Sequence, residues 1–285
     1  VWYPHARVDA IPYDTPVAGW RGKHVNALRL WSARIATPIH LSAFNEGDYV
    51  GAGAARARAE AISRVLYPND ATPEGQELRL RQEYFFTAAS LQDLVRRHLD
   101  EHGTLDNLPD YCAVQLNDTH PAIAVAELMR LLVDEHDYSW DKAWALTRGT
   151  LNYTNHTLLP EALETWPVEL FGRLLPRHLQ IIYLINWIHL QQTTARGFTD
   201  ADFVANVSLI HENGDKRVRM AHLAFLGSNC VNGVSALHTD LLRKTVFHDL
   251  AETAATRIVN KTNGISFRRW LYEANGALTR LITDT

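Results

Sequence analysis

The 285-residue sequence has few of the features that mark secreted or membrane proteins. It contains two cysteines, Cys112 and Cys230, each inside an apolar run. Two are too few for a disulfide framework, and they favour a reducing compartment. No window approaches the roughly eighteen consecutive apolar residues of a membrane-spanning helix, and no signal-peptide pattern opens the chain. We therefore expect a cytoplasmic protein that does not bind a membrane.

Motifs for nucleic acids, nucleotides and metals are also missing. The net charge is −4, and residues of both signs are interspersed, whereas a nucleic-acid surface needs clustered Lys and Arg. Neither GxGxxG nor GxxxxGK[ST] occurs, so no nucleotide-binding loop is visible. The chain has 14 histidines but neither HExxH nor CxxC, and we expect no metal site.

What the sequence does contain predicts a globular α/β fold. Hydrophobic residues make up 46% of the chain, and eight Trp, ten Tyr and nine Phe supply bulky side chains for a core. Apolar periodicity and turn residues divide the chain into alternating short strands and amphipathic helices, which is typical of a mainly parallel sheet. Predicted helices cover residues 46–65, 77–100, 121–136, 139–148 and 177–194. Predicted strands cover residues 26–33, 111–116, 151–154, 207–210, 217–220, 229–231 and 257–259.

Two local details belong to this prediction. Ser90 and Asp93 have the spacing of a helix cap and predict a second helix start inside 77–100. Asn213-Gly214 predicts a tight turn between two short strands.

Polar groups follow several of the predicted strands. Ligands of parallel α/β sheets bind beyond the carboxyl ends of the strands. Mixed amide, carboxylate, imidazole and hydroxyl groups suit a ligand with many hydroxyls, such as a sugar. The groups are Asn117-Asp118-Thr119-His120, Asn155-His156-Thr157, Asn232-Gly233 and Asn263-Gly264.

Each group also has a structural interpretation. Asp118 and His120 can cap a helix that begins at Pro121. His156 can be a satisfied core histidine, and Asn263 with Gly264 can form a simple turn. The pair Arg96-Arg97 can be a solvated basic face favoured by the helix dipole.

Six collinear segments resemble the glycogen/starch/maltodextrin (α-glucan) phosphorylase family. They occur in the family's order and span the chain nearly end to end. They are residues 64–70 (RVLYPND), 77–85 (ELRLRQEYF), 115–121 (QLNDTHP), 153–157 (YTNHT), 175–183 (LPRHLQIIY) and 260–265 (NKTNGI).

The resemblance implies a Rossmann-like, mainly parallel sheet with flanking helices, belonging to the N-terminal domain of a two-domain GT-B glycosyltransferase. It implies an enzyme that cleaves terminal α-1,4-linked glucose with inorganic phosphate, releasing glucose 1-phosphate with retention of configuration. It also implies pyridoxal phosphate in a C-terminal domain, on a lysine outside this chain, and a homodimeric parent.

The resemblance also assigns roles to residues of this sequence. His156 resembles the histidine that contacts the 6-hydroxymethyl group of the cleaved glucose, and Asn263 resembles an asparagine that bonds a hydroxyl of the same unit; these are the catalytic candidates. Arg96 and Arg97 match a basic pair that meets an activating phosphate in regulated members. The substrate-binding candidates are Tyr67, Asp70, Arg79, Asn117, Asp118, His120 and Thr157.

We expect residues 1–285 to be the latter part of the phosphorylase N-terminal domain, without its opening strands and without the cofactor domain. Such a piece is predicted to be inactive alone. An alternative is a stand-alone glucan-binding module, suggested by Asp118, His120, His156 and the aromatic-rich helix that begins at Pro176. A third interpretation is a Rossmann-like fold used as a scaffold.

Overall fold

The computed structural model describes residues 2, 4, 7–35, 39–159, 162–254 and 257–284, and within them the fold is α/β. The strands are β1 Asp9–Ala18, β2 Val25–Arg34, β3 Val114–Asn117, β4 Leu151–Thr154, β5 Thr165–Pro167, β6 Ile210–His211, β7 Arg217–Arg219, β8 Val231–Gly233 and β9 Ile258–Asn260. The helices are α1 Leu41–Asn45, α2 Tyr49–Arg64, α3 Pro73–His102, α4 Leu108–Tyr111, α5 Ala124–Arg130, α6 Trp140–Thr150, α7 Val168–Leu174, α8 Pro176–Ala195, α9 Ala201–Val207, α10 Met220–Gly227, α11 Ala236–Lys244, α12 His248–Ala254, α13 Phe267–Ala274 and α14 Gly276–Thr283.

A four-stranded parallel sheet positions the polar groups that the sequence singles out. Its strand order is β3-β4-β8-β9, and each neighbouring pair is parallel. Helices between successive strands return the chain across the sheet, as parallel connections require. The predicted mainly parallel sheet with flanking helices is confirmed.

The remaining strands form two small antiparallel sheets. β1 and β2 form a long hairpin in which Asp9 pairs with Arg34 and Ala18 with Val25. β5, β7 and β6 form a small sheet in the order β5-β7-β6. The predicted turn between β6 and β7 is confirmed, because Gly214 adopts a left-handed backbone with φ of 77°.

The helix α3 is longer than the sequence indicates. Thr72 begins it by accepting a hydrogen bond from Gly75 N at 3.1 Å, and Gly103 ends it with φ of 69°. The predicted second start at Ser90 and Asp93 is wrong. Ser90 Oγ donates to the Phe86 carbonyl at 2.7 Å, within an unbroken helix that has no Gly or Pro after its first turn.

Other boundaries also differ from prediction. Where a strand was predicted over residues 207–210, α9 ends at Val207 and β6 covers only Ile210–His211. The strand predicted from residue 111 begins at Val114, because residues 108–111 form the short helix α4. The helix predicted from Pro121 begins at Ala124 and ends in a π-helical turn, Leu131–Glu135.

The core lies between the parallel sheet and a central pair of helices. All seven residues of α5 are buried, and α10 buries every residue except His222. Gly227 permits the two helices to approach closely, since a Cβ there would lie 2.3 Å from a side-chain carbon of Val125. The helix α10 packs against β4, and α5 packs against α10.

The C-terminal helices α13 and α14 lie at the surface of the described structure. Neither α13 nor α14 has a buried residue. Phe267 is 80% exposed, Trp270 58% and Ile282 58%, so large parts of these apolar side chains are accessible to solvent. None of the described helices combines the length and the apolarity needed to cross a membrane.

A buried ionic group ties α5 to α8. Arg130 donates to both carboxylate oxygens of Glu127, at 2.8 and 2.9 Å, and His178 Nε2 lies 2.6 Å from Glu127 Oε2. The side chains of Glu127 and His178 are fully buried. Burial opposes ionisation, but the bonds from Arg130 and His178 outweigh it and keep the pKa of Glu127 below its ordinary value.

We expect Glu127→Gln to lower the free energy of unfolding by about 3 kcal/mol, because it leaves Arg130 and His178 without a buried counter-charge. Glu127 contributes stability above its unfolded pKa near 4.5, and this contribution is lost as the pH falls through its lower folded pKa. Urea unfolding at pH 7 and at pH 3 measures both effects. The control Glu169→Gln, on the exposed face of α7, should leave the midpoint unchanged. A midpoint unaffected by Glu127→Gln at pH 7 would contradict this interpretation.

Candidate functional site

The loops after three strands are bonded to one another at the carboxyl edge of the parallel sheet. Asp118 N donates to the Thr154 carbonyl at 3.0 Å, Asn155 N to the Asn232 carbonyl at 3.0 Å, and Asn263 N to the Val234 carbonyl at 2.9 Å. Because neighbouring strands lie about 4.8 Å apart, these loops line one continuous edge. We call the loops after β3, β4, β8 and β9 the strand-end site.

A row of side-chain hydrogen bonds runs across the same edge. Gln115 Nε2 donates to Thr154 Oγ1 at 2.8 Å, and Thr154 Oγ1 donates to Asn232 Oδ1 at 2.8 Å. One side chain from each of β3, β4 and β8 therefore joins the row. This row of hydrogen bonds fixes the register of the three strands relative to one another. It therefore also fixes the positions of the loops that follow them.

Asp118 does not cap the next helix. Its backbone has φ of 65°, and its Oδ1 accepts from Thr119 N at 2.7 Å. The helix α5 begins only at Ala124, so the capping interpretation of Asp118 and His120 is wrong. A left-handed non-glycine residue directly after a strand turns the loop sharply at the sheet edge.

His156 is presented by a rigid turn. Asn155 is fully buried; its Nδ2 donates to the Tyr153 hydroxyl at 3.0 Å, and its Oδ1 accepts from Thr157 N at 3.1 Å. Between these fixed neighbours, His156 is exposed at the sheet edge. The interpretation of His156 as a core histidine is therefore wrong.

A second histidine, His238 at the start of α11, faces His156. Val234 N donates to His238 Nδ1 at 3.1 Å, so the proton of the neutral ring lies on Nε2. That Nε2 is buried and has no partner in the described structure. Burial, and then the charge of His156, lower the pKa of His238. A neutral donor that has no partner among the described residues therefore lies next to the loop after β8.

Tyr67, Asp70 and Arg79 come together beside the strand-end site. The guanidinium of Arg79 lies 4.0 Å from the centre of the Tyr67 ring, and its NH1 donates to Asp70 Oδ2 at 2.7 Å. Tyr67 has φ of 59° and its N donates to Gln82 Oε1 at 2.9 Å. The loop before α3 is therefore anchored to α3 itself.

Two buried carboxylates complete this group, which we call the Arg79 cluster. Arg79 NH2 lies 2.9 Å from Glu164 Oε1 and 3.5 Å from Glu83 Oε1. Burial, followed by repulsion from Glu164, raises the pKa of Glu83 well above its ordinary value. His120 Nδ1 lies 3.7 Å from Glu164 Oε1, and the His120 ring packs edge-on against Tyr67 at 5.2 Å.

His120 links the two parts of the site. Contact with the Glu164 carboxylate raises the pKa of His120 above 6.5, and the nearby charge of Asp118 acts in the same direction. At 3.7 Å the contact with Glu164 is an ion pair rather than a short hydrogen bond. Donor atoms of Glu83, His120 and Glu164 lie within 4.8 Å of one another. Arg79 faces both carboxylates and also Asp70, and His120, when protonated, adds a second positive charge beside them.

Two of the remaining candidate residues lie at the strand-end site, and two lie on a part of the surface far from it. Asn117 is exposed at the end of β3, and Thr157 is half-buried beside His156. Arg96 and Arg97 lie further along α3, 17 residues or roughly 26 Å beyond Arg79. There Arg96 bonds Asp93 and Asp100 at 2.9 Å. The basic pair is therefore separate from the strand-end site.

Sequence reasoning missed Glu83, Glu164 and His238. Glu83 lies inside the quoted segment 77–85, four residues after Arg79, which is the spacing of one helix face. The spacing between Arg79 and Glu83 could therefore have identified Glu83 as a neighbour of Arg79. Glu164 and His238 carried no such signal, since their partners are distant in sequence.

The described lysines do not fit an anchor for pyridoxal phosphate. Such an anchor is a buried amine with a lowered pKa. Lys142, Lys216 and Lys244 instead pair with Asp or Glu at 2.6 to 3.0 Å and are about half or more exposed. Lys23 and Lys261 are exposed as well.

Comparisons with known proteins point to one family. The chain is 50% identical over 283 residues to a glycogen phosphorylase of Synechocystis sp., covering 99% of this chain and 33% of that protein. It is 52% identical over 291 residues to the liver form of glycogen phosphorylase from Homo sapiens, covering 99% of this chain and 34% of the relative. The chain thus spans about a third of the length of these curated relatives. The model of the family described as carbohydrate phosphorylase matches residues 1–285, and the chain belongs to that family.

Proposed function

We propose that this chain forms one side of the glucosyl site of an α-glucan phosphorylase. The observation that carries the proposal is the convergence of Asp118, His156 and Asn263 on one edge of the parallel sheet through bonded loops. A glucosyl ring presents hydroxyls in several directions, and this edge offers donors and acceptors that are already oriented.

His156, Asn263 and His238 would contact the cleaved glucose. His156 is exposed on a rigid turn, and its backbone carbonyl lies at the same edge, where it can face the positive charge that develops at the anomeric carbon. Asn263 supplies an amide on the loop after β9. The partnerless Nε2–H of His238 supplies a further donor to a sugar hydroxyl.

The Arg79 cluster would bind the departing glucan end. Asp118 and His120 lie between this cluster and the strand ends, with Asn117 and Thr157 beside them, and the Tyr67–Asp70 loop flanks one side. Two carboxylates, one guanidinium and one imidazole give acceptors and donors for the hydroxyls of a second glucose unit. In this arrangement the cut bond lies between His156 and His120.

The overall reaction would be phosphorolysis of a terminal α-1,4 link with retention. The glycosidic carbon–oxygen bond breaks, inorganic phosphate takes the glucosyl unit, and the glucan end leaves with a proton. The groups that grip phosphate, and pyridoxal phosphate with its lysine, would lie in a C-terminal domain outside this chain. A cytoplasmic homodimer is the proposed form of the whole protein.

We also propose that residues 1–285 are the latter part of the phosphorylase N-terminal domain. This is supported by the third of each relative's length that the chain spans, and by the uncovered apolar side chains of α13 and α14. Arg96 and Arg97, remote from the strand-end site, are the proposed contact for a regulatory phosphate group.

The first test is an assay of glucose 1-phosphate formation from maltodextrin and inorganic phosphate. We expect turnover by the protein in its full natural length and none by the 285-residue chain. His156→Ala in the full-length protein should lower kcat/KM by roughly tenfold or more, since a buried hydrogen bond to the sugar is lost. The matched control His248→Ala, on the exposed side of α12, should be neutral. Turnover by the 285-residue chain would contradict its predicted inactivity, and an equal loss in both variants would refute the proposed role of His156.

The second test is titration of His120 by NMR. We expect a pKa above 6.5, because the Glu164 carboxylate stabilises the imidazolium. Glu164→Gln should lower this pKa, whereas the control Glu169→Gln should not. The resulting contribution to stability is present below pH 6.5 and is lost as the pH rises through the folded pKa of His120. A pKa insensitive to Glu164→Gln would contradict the assigned contact.

A further inference from the structure

A second cavity lies at the opposite, amino edge of the parallel sheet. It has a volume of about 110 Å³. Its walls come from α6, α8, the end of α10 and the segment before β9. Arg148 precedes β4, Leu226 precedes β8, and Arg257 precedes β9, whereas the strand-end site follows the same strands. The amino-edge cavity is therefore separated from the strand-end site by the length of the sheet.

This cavity is lined by three arginines and one histidine: Arg148, Arg196, Arg257 and His189. Among the described residues that line it, none is an Asp or a Glu. The undescribed residues 255 and 256 are Ala and Thr, so they add no carboxylate either. The most deeply buried arginines of the described structure, Arg79 and Arg130, are paired with carboxylates, and the half-buried Arg219 bonds three backbone carbonyls.

Two of the three arginines also have structural partners. Arg257 NH1 donates to the carbonyls of Phe225 and Leu226, at 3.0 and 3.2 Å, near the end of α10. Arg196 NH1 donates to the Thr253 carbonyl at 2.9 Å. Arg148 makes no hydrogen bond within the described structure, and its Nε is buried. Arg148 is thus a half-buried cation without a counter-charge.

The cations in the cavity repel one another. Burial, followed by the charge of Arg148, lowers the pKa of Arg257 to about 10. Burial and the charges of Arg257 and Arg196 lower the pKa of His189 to about 4, so its ring is neutral at pH 7. Unpaired cations in a partly buried space are unfavourable unless an anion joins them.

The neutral His189 ring adds a second requirement. Its hydrogen bond with the backbone of Val207 occupies one ring nitrogen, while Nε2 is buried without a partner. Because the ring donates its proton to the backbone, Nε2 is an acceptor. The occupant must therefore be an anion for the arginines and must also carry one proton that it can donate.

We propose that the amino-edge cavity binds inorganic hydrogen phosphate. Its oxygens accept from the guanidinium groups, which suit tetrahedral oxyanions, and its O–H donates to His189 Nε2. A cavity of about 110 Å³ has room for several waters and therefore for an ion of five heavy atoms. Sulfate has the same shape but carries no proton at neutral pH, and a phosphate monoester, with a second pKa of about 6, has largely lost its own.

The test uses the protein in its full natural length, with inorganic phosphate and sulfate as probes at pH 7.5 and constant ionic strength. Binding is followed by thermal unfolding and by tryptophan fluorescence, since Trp140 and Trp144 line the cavity. We expect Arg148→Gln to weaken phosphate binding at this site by about tenfold or more. The same variant should raise Tm in phosphate-free buffer, because an unpaired buried charge is removed. A merely structural role for Arg148 predicts the opposite shift.

The matched control is Arg58→Gln, an exposed arginine of α2 far from the cavity, which should change neither quantity. Phosphate should bind wild-type protein more tightly than sulfate, and His189→Phe should remove that preference.

Should Arg148→Gln not fold, Arg148→Lys keeps the charge but loses the planar fork, and it should still weaken binding. Unchanged phosphate affinity in the Arg148 variants, or equal affinity for sulfate in wild type, overturns the proposal. So does a cavity closed by a carboxylate from elsewhere in the protein, which would abolish any response to phosphate.

Discussion

The register of four short parallel strands is the constraint on which the rest of the structure depends. Each strand contributes only three or four residues, yet backbone hydrogen bonds continue past their ends from loop to loop. Asp118 is bonded to β4, Asn155 to β8, and Asn263 to the loop after β8. A slip of one residue in β4 would reverse the faces of its side chains and move His156 away from Asn263. The Gln115–Thr154–Asn232 row opposes such a slip.

Buried charge is organised differently at the two edges of this sheet. At the carboxyl edge, acidic and basic groups are present together: Arg79 with Glu83 and Glu164, and His120 beside them. Such a mixed group offers both donors and acceptors, and Glu83 Oε2, Glu164 Oε2 and His120 Nδ1 are buried there without a hydrogen-bond partner among the described residues. At the amino edge the groups of the cavity are basic or neutral, so that a small anion would complete them. Under the two proposals, the same parallel fold would support two recognition chemistries, one for sugar hydroxyls and one for an oxyanion.

Sequence reasoning succeeded where a feature is local. β4 matched its predicted bounds, since a short apolar run before a polar group is a strong strand signal. The helix predicted over 177–194 is α8, which extends one residue further at each end, because Pro176 itself occupies the first helical turn. The fold class followed from the alternation of such elements.

Sequence reasoning failed where contacts between residues distant in sequence determine the structure. Ser90 resembled a cap, but its hydroxyl bonds back to Phe86 within α3, and nothing in the local sequence distinguishes the two outcomes. Glu164 and His238 became site residues only because folding brings Glu164 to Arg79, 85 residues away, and His238 to His156. Arg148 reads as an ordinary helical arginine in sequence, and its missing counter-charge is visible only in three dimensions.

The central claim is that the strand-end site holds a glucosyl unit. The most direct measurement is a crystal structure of the protein in its full natural length with a bound maltooligosaccharide. The account predicts that the terminal glucose lies within hydrogen-bonding distance of His156 and Asn263, with the next unit against Asp118 and His120. A terminal glucose bound elsewhere, with the loops after β4 and β9 free of sugar, would contradict it.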